Sequence, residues 1–178
     1  MKNPLIILLL FIGSNFVFAD DIYSFEDGVI PSDFSVSKGN LSIKNNKGKL
    51  GNQSLQWDWQ AGDVLSASPN SMRTPSITST GGIQVWIYNE NPINANITLR
   101  FYEFETSSTD RSCKIDFNLN FKGWRCLWAR FRPDMSHTGY TLRHMKWEMP
   151  ESGSGTILID FLEFVDNVSW ERIGDMQY

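Results

Sequence analysis

The sequence predicts an all-β domain, an antiparallel two-sheet β-sandwich of jelly-roll type. Three observations predict it. Apolar, β-branched and aromatic residues come in short runs, several of them alternating with polar residues. Clusters of Gly, Pro, Asn and Asp separate the runs. No run beyond the first residues has a sustained helical period, so helices cannot supply the core. About ten short strands without a long helix suit two packed sheets in one domain.

Taken in order, residues 22–25 make a short first strand closed by Glu26, Asp27 and Gly28. Residues 41–44 follow, and Asn45, Asn46, Lys47 and Gly48 turn the chain. Leu55, Trp57 and Trp59 alternate with Gln56, Asp58 and Gln60, the pattern of a half-buried strand with its tryptophans in the core. Residues 83–88 are apolar on both faces late in the run, which predicts a central strand with Trp86 in the core. A turn over 89–92 leads into 97–104, and Ile115, Phe117 and Leu119 then alternate with Asp116 and Asn118. Phe121, Lys122 and Gly123 reverse the chain into a returning strand over 124–131. The last pair, 142–149 and 156–165, is separated by a turn-rich stretch over 150–155.

The first nineteen residues read as a secretory signal. Lys2 is the positive start, residues 4–12 are apolar, and Val17, Phe18 and Ala19 form the cleavage site. The apolar run falls short of the roughly 20 residues of a membrane span. Cleavage assigns 1–19 to the signal and 20–178 to one domain, exported and free of the membrane. The net charge is −4 at pH 7. A phosphate backbone therefore finds no global electrostatic support, which excludes nucleic acid as a general partner. A local groove for an acidic sugar stays open, because Lys122, Arg125, Arg130, Arg132, Arg143 and Lys146 crowd one stretch. An ordinary mixed surface is the competing reading, since alternate strand residues face opposite sides.

Cys113 and Cys126 are the only cysteines, and His137 and His144 the only histidines, a set without zinc spacing. A hairpin turning near 122–123 places Cys126 opposite a residue near Asn118. The two cysteines therefore read as separate thiols. His137 and His144 lie near Tyr140 and Arg143, but they read as loop and strand chemistry rather than a catalytic cluster. Glu103, Glu105 and Asp116 read as solvated strand and turn carboxylates rather than a hydrolytic pair.

Four segments carry a resemblance: residues 51–59, 85–93, 121–125 and 157–160, with Ser169 and Trp170 in weaker support. In this order and spacing they resemble the N-terminal domain of chondroitin sulfate ABC lyases, from about residue 22 to 170. The resemblance implies a galactose-binding-like, carbohydrate-binding-module-like jelly roll from a bacterial system that degrades glycosaminoglycans by β-elimination. In that family this domain precedes the helical one that carries the catalytic residues, so no catalytic residue is transferred to this chain.

Such sandwiches often hold a hard cation between the first strand, a following loop and the last strand. The resemblance matches Ser24, Leu50 and Gln53, through their carbonyl oxygens, and the Asp160 carboxylate to that site, for calcium or sodium. A second reading stands beside it: Asp160, in an apolar strand, caps nearby backbone amides. No organic cofactor is implied. Aromatic rings stack on sugar faces, so Trp124 with Arg125, and Trp147 with Lys146, are the candidates for contact with an acidic glycan or a partner domain. The expected function is a non-catalytic module that assists glycosaminoglycan binding. A purely structural domain packed on a catalytic domain, and a small independent lyase, are the alternatives.

Overall fold

Strict alternation becomes strand geometry because successive side chains leave a strand on opposite faces. β3 (Gln53–Gln60) follows the rule, with Leu55, Trp57 and Trp59 buried. The computed structural model describes residues 22–106 and 111–168. The expected signal peptide and residues 169–170 lie outside them. The other strands are β1 (Ser35–Val36), β2 (Asn40–Asn45), β4 (Val64–Ala67), β5 (Gly82–Asn89), β6 (Asn96–Tyr102), β7 (Ser112–Asn118), β8 (Gly123–Arg130), β9 (His144–Glu148) and β10 (Ser154–Val165). Two short helices, α1 (Arg73–Ile77) and α2 (Phe131–Met135), join strands of opposite sheets. The expected first strand at 22–25 reduces to one bridge, from Tyr23 to Leu162.

The strands form two antiparallel five-stranded sheets, as the sequence predicts. Sheet 1 has the order β1, β4, β9, β6, β7, and sheet 2 the order β2, β3, β10, β5, β8. Only β2 with β3, and β6 with β7, are neighbours both in sequence and in a sheet; every other connection crosses between sheets. The expected hairpin at 121–123 is therefore not one. β8 pairs with β5, placing Tyr88 opposite Trp124 and Trp86 opposite Cys126. β9 and β10 likewise lie in different sheets. A turn sequence fixes a reversal of direction, whereas the demand to line both inner faces decides which sheet receives the next strand.

The core lies between the sheets and includes Leu55, Trp57, Phe101, Phe131, Trp147 and Phe164. Phe101 meets Phe131 and Phe164 edge-on, at centroid distances of 5.2 and 6.3 Å. Burying each such ring contributes roughly 1.5–3 kcal/mol relative to leaving it in water. Trp86 departs from expectation. It is buried, yet it points away from this core, on the outer face of sheet 2. There the Lys49 ammonium sits 4.2 Å from its ring centroid. Cys113 and Cys126 are both free, on strands of different sheets. Burial pushes their thiols up to about 12 and about 11, which keeps them protonated and unreactive.

Candidate functional site

Alternation along β9 and β6 sorts sheet 1 into two faces. Met145, Trp147, Leu99 and Phe101 are buried in the core, while His144, Lys146, Glu148, Thr98 and Arg100 take the outer face. Register then sets Ser66, Lys146, Arg100 and Lys114 side by side across β4, β9, β6 and β7. Four strands make a row about 14 Å long at ~4.8 Å per strand. The Arg100 guanidinium meets Glu148 through Nε at 3.2 Å and Nη2 at 3.4 Å. Two of its five N–H donors are thus engaged by one carboxylate. Lys114 lies 3.7 Å from Asp116, both well exposed.

Aromatic rings border the row. The Lys146 ammonium lies 5.5 Å from the Tyr102 centroid, and burial, then Glu148, pushes the Tyr102 phenol up so that it stays a neutral donor. Two residues beyond Tyr102, Phe104 is 51% exposed, with the Arg111 guanidinium 6.0 Å from its centroid. Arg111 is paired with Glu103 at 2.6 Å. His144 Nδ1 shares a hydrogen bond with the Ser68 hydroxyl at 2.8 Å. Its pKa is lowered, chiefly by burial. The face therefore offers cations, hydrogen-bond donors and one exposed ring, which suits an anionic, hydroxyl-rich chain.

The residues singled out from sequence fall in three places. Lys146 is on this face, but its neighbour Trp147 is fully buried inside the sandwich and offers no surface ring. Trp124 lies on sheet 2, its ring edge-to-face with Tyr88 at 5.4 Å. Arg125 covers the Phe121 ring at 4.7 Å. The basic stretch does not make one groove. Lys122 pairs with Glu90 at 3.0 Å, Arg130 with Asp134 at 3.0 Å, and Arg132 donates to the Ile77 carbonyl. Arg100, Lys114, Tyr102 and Phe104 were not selected from the sequence.

Asp160 meets Leu50 on a strap over residues 46–52 on the outer face of sheet 2, Gln53 follows the strap, and Ser24 stands next to Tyr23, which bridges Leu162 beyond Asp160. A register shift in β10 follows Asp160, and Phe161 there has φ +49°. Asp160 Oδ2 accepts from the Lys49 and Leu50 amides at 2.6 and 3.0 Å, and Oδ1 from the Phe161 amide at 2.7 Å. Burial raises its pKa, and these three amides oppose that rise. Glu26 completes the strap by accepting from the Asn52 and Gln53 amides at 3.0 and 2.7 Å. Gly51 lies against that carboxylate, where a Cβ would come within 2.6 Å of it, at φ +101°. The Gln53 side-chain oxygen is buried without a hydrogen bond. Both Asp160 oxygens thus cap backbone amides, as the second reading of this residue expects, and the unbonded Gln53 side-chain oxygen is a hard donor left for a cation.

His137 and His144 do not form one site. His137 is buried between Phe131 and Tyr140, at centroid distances of 6.2 and 4.2 Å, and its Nε2 bonds the Tyr140 carbonyl at 2.8 Å. Burial lowers its pKa and keeps the ring neutral. Asp116 accepts from the Thr98 hydroxyl at 2.6 Å. Among the described residues, no group of three or more His, Cys, Asp and Glu side chains is placed to hold a metal ion.

The profile of the family described as "Lyase, N terminal" matches residues 19–177. A chondroitin sulfate ABC endolyase of Proteus vulgaris is 28% identical over 131 residues, 68% of this chain and 13% of that protein. A chondroitin sulfate ABC exolyase of Bacteroides thetaiotaomicron is 29% identical over 160 residues, 85% of this chain and 15% of that one. The chain spans about a seventh of the length of these relatives. Among solved structures, an exo-β-agarase superposes with a TM-score of 0.64 at 11% identity, covering 85% of this chain and 26% of that one. A xylan-binding domain from Paenibacillus barcinonensis superposes with a TM-score of 0.57 at 16% identity, covering 83% and 99%. These two likenesses show the sandwich fold.

Proposed function

The chain belongs to the lyase N-terminal family, and from that premise we propose that it is a non-catalytic carbohydrate-binding module. It holds an acidic, glycosaminoglycan-type polysaccharide for a lyase catalytic domain. The observation that carries this reading is the row of Lys146, Arg100 and Lys114 across sheet 1, bordered by Phe104. A sugar chain laid along the row meets the three cations with its carboxylates or sulfates, and Phe104 can stack on an apolar sugar face. The chondroitin sulfate lyases among the relatives support this ligand class. β-Elimination beside a uronate needs a base, an acid and a group that neutralises the carboxylate. His137 is enclosed and His144 engaged by Ser68, which supports the non-catalytic reading. Export belongs to the same proposal. Among the described residues, no helix is long and apolar enough to cross a membrane.

The test is retention on chondroitin sulfate, hyaluronan and a neutral glycan at two salt concentrations. Binding should favour the acidic chains and weaken with salt. The double variant Arg100→Ala, Lys146→Ala should bind about tenfold more weakly, a loss of about 1.4 kcal/mol. Equal retention on the neutral glycan would overturn the ligand class. Retention on none would leave a purely structural domain. Turnover of chondroitin sulfate, read as unsaturated-uronate absorbance, would make the chain an enzyme.

The unbonded Gln53 oxygen and the closeness of the Glu26 and Asp160 carboxylates support a second proposal, a structural calcium or sodium ion held by Asp160 with the carbonyls of Ser24, Leu50 and Gln53. Such an ion would offset the two nearby carboxylates and fix the strap to β10. Melting of chelator-treated protein with and without calcium tests it. At a hundredfold excess over Kd the rise should be roughly 5–10 °C, and Asp160→Asn should abolish it. An unchanged melting temperature, with no metal found by elemental analysis, would rule the ion out.

A further inference from the structure

The outer face of sheet 2 gathers aromatic and basic side chains that the sheet 1 reading does not use. Register aligns Gln56, Leu158, Tyr88 and Trp124 across β3, β10, β5 and β8. Leu158 stands out, because it faces away from the core and is still only 3% exposed. Above it the half-buried Tyr88 and Trp124 rings, in edge-to-face contact at 5.4 Å, make an apolar track on a face that alternation normally leaves polar. A depression of about 120 Å³ lies there, lined by Leu158, Tyr88, Gln56, Lys44, Lys47 and Glu90. That is smaller than the roughly 300–1,000 Å³ of sites that enclose a whole small molecule, and suits one unit of a longer chain.

The polar groups around the depression have a defined order. The Lys47 ammonium lies 3.9 Å from the Tyr88 centroid and 3.5 Å from the Glu90 carboxylate, and Lys122 reaches the same carboxylate at 3.0 Å. Tyr88 donates its hydroxyl proton to Glu90. Lys47 and Lys122 thus flank one carboxylate, and Lys44 lines the same depression. The Gln56 Nε2 donates to Asp58 at 2.9 Å, which leaves its Oε1 to accept from a ligand hydroxyl. Lys47 belongs to the strap that the Asp160 and Glu26 carboxylates pin to the sheet.

We infer that this face carries a second saccharide subsite, separate from the sheet 1 row, for one pyranose unit bearing a carboxylate or a sulfate. The apolar face of the sugar lies on the Tyr88 and Trp124 rings, with Leu158 packed beneath them. Its anionic group meets Lys44 and Lys47, and a hydroxyl donates to Gln56. The ligand class rests on the reading of the chain as a carbohydrate-binding module; the subsite stands on residues that the first site does not share.

Titration of the isotope-labelled chain with chondroitin sulfate and hyaluronan tetrasaccharides tests it, with amide and indole shifts followed residue by residue. Two groups of shifts should appear, one around Arg100 and Lys146, the other around Tyr88 and the Trp124 indole. Response to the sulfated chain alone would identify the anion as sulfate, and response to both as carboxylate; either supports the subsite. Lys44→Glu with Trp124→Ala should weaken the second group about tenfold or more and leave the first in place. Lys44→Glu alone is a surface change that keeps the fold and should weaken it severalfold. Arg100→Ala with Lys146→Ala should do the reverse. Shifts confined to sheet 1 would overturn the subsite and keep the first site. Shifts confined to sheet 2 would support the subsite and overturn the first site. No shifts with either sugar would overturn both.

Discussion

Asp63 accepts hydrogen bonds from the Ser37 hydroxyl, the amides of Lys38, Gly39 and Val64, and the Trp57 indole, all between 2.8 and 2.9 Å. It is fully buried. One carboxylate therefore ties the turn between β1 and β2 to a core tryptophan and to the start of β4, joining both sheets. Burial alone would raise its pKa, but the bonds from Trp57, Lys38, Ser37 and Gly39 outweigh that and hold it below the usual carboxylate value. Asp63→Ala should cost at least about 3 kcal/mol, since several buried donors lose their acceptor together. Asp63→Asn should cost less but still destabilise, because its amide nitrogen must face N–H donors. The sign with pH follows from the lowered pKa. The stabilisation is complete above the unfolded value of about 3.9 and is lost as pH falls through the lower folded value. Urea unfolding from pH 7 to pH 2 reads this. An acid branch equally steep in Asp63→Asn would show that other carboxylates control it.

At the scale of elements, period-two alternation made β3 and β6 legible, because one buried face imposes it directly on the residues, and an apolar run buried on both faces did the same for β5. The same rule holds the signal that separates Lys146 from Trp147. Met145, Trp147 and Met149 share one parity and are all buried, so choosing Trp147 for its closeness to Lys146 overlooked the alternation. The helices α1 and α2, five residues each, are too short to show an amphipathic period. Trp86 was legible as buried and illegible as outer-facing, because what covers it is the strap carrying Lys49, a long-range contact. The strap is the same case. Asp160 was legible as a carboxylate needing partners. Glu26 was not, since only the fold brings it onto the amides of Asn52 and Gln53. The row of Lys146, Arg100 and Lys114 was hidden for a similar reason: three residues on three strands become one line only when register is known.

For the whole molecule, the crossing connections decide how it comes apart. Because consecutive strands mostly enter opposite sheets, neither sheet is a continuous stretch of chain, and neither can form from a local segment. β10 illustrates this: the last strand lies in the middle of sheet 2, between β3 and β5, and its Leu162 and Phe164 pack into the shared core. Removing one sheet exposes the inner face of the other and leaves Trp57 and Trp147 in water. A partly folded chain with one sheet intact therefore has no stable form, and unfolding should be a single cooperative transition. Folding should be slow for the size, in milliseconds to seconds, since loop closure precedes nearly every strand pairing. Urea unfolding followed by far-ultraviolet circular dichroism and by tryptophan fluorescence tests the equilibrium claim. The two curves should coincide, because the core tryptophans and the sheets are lost together. Fluorescence changing well before the dichroism would mean that the sheets survive loss of the core, and the two-sheet dependence would be refuted.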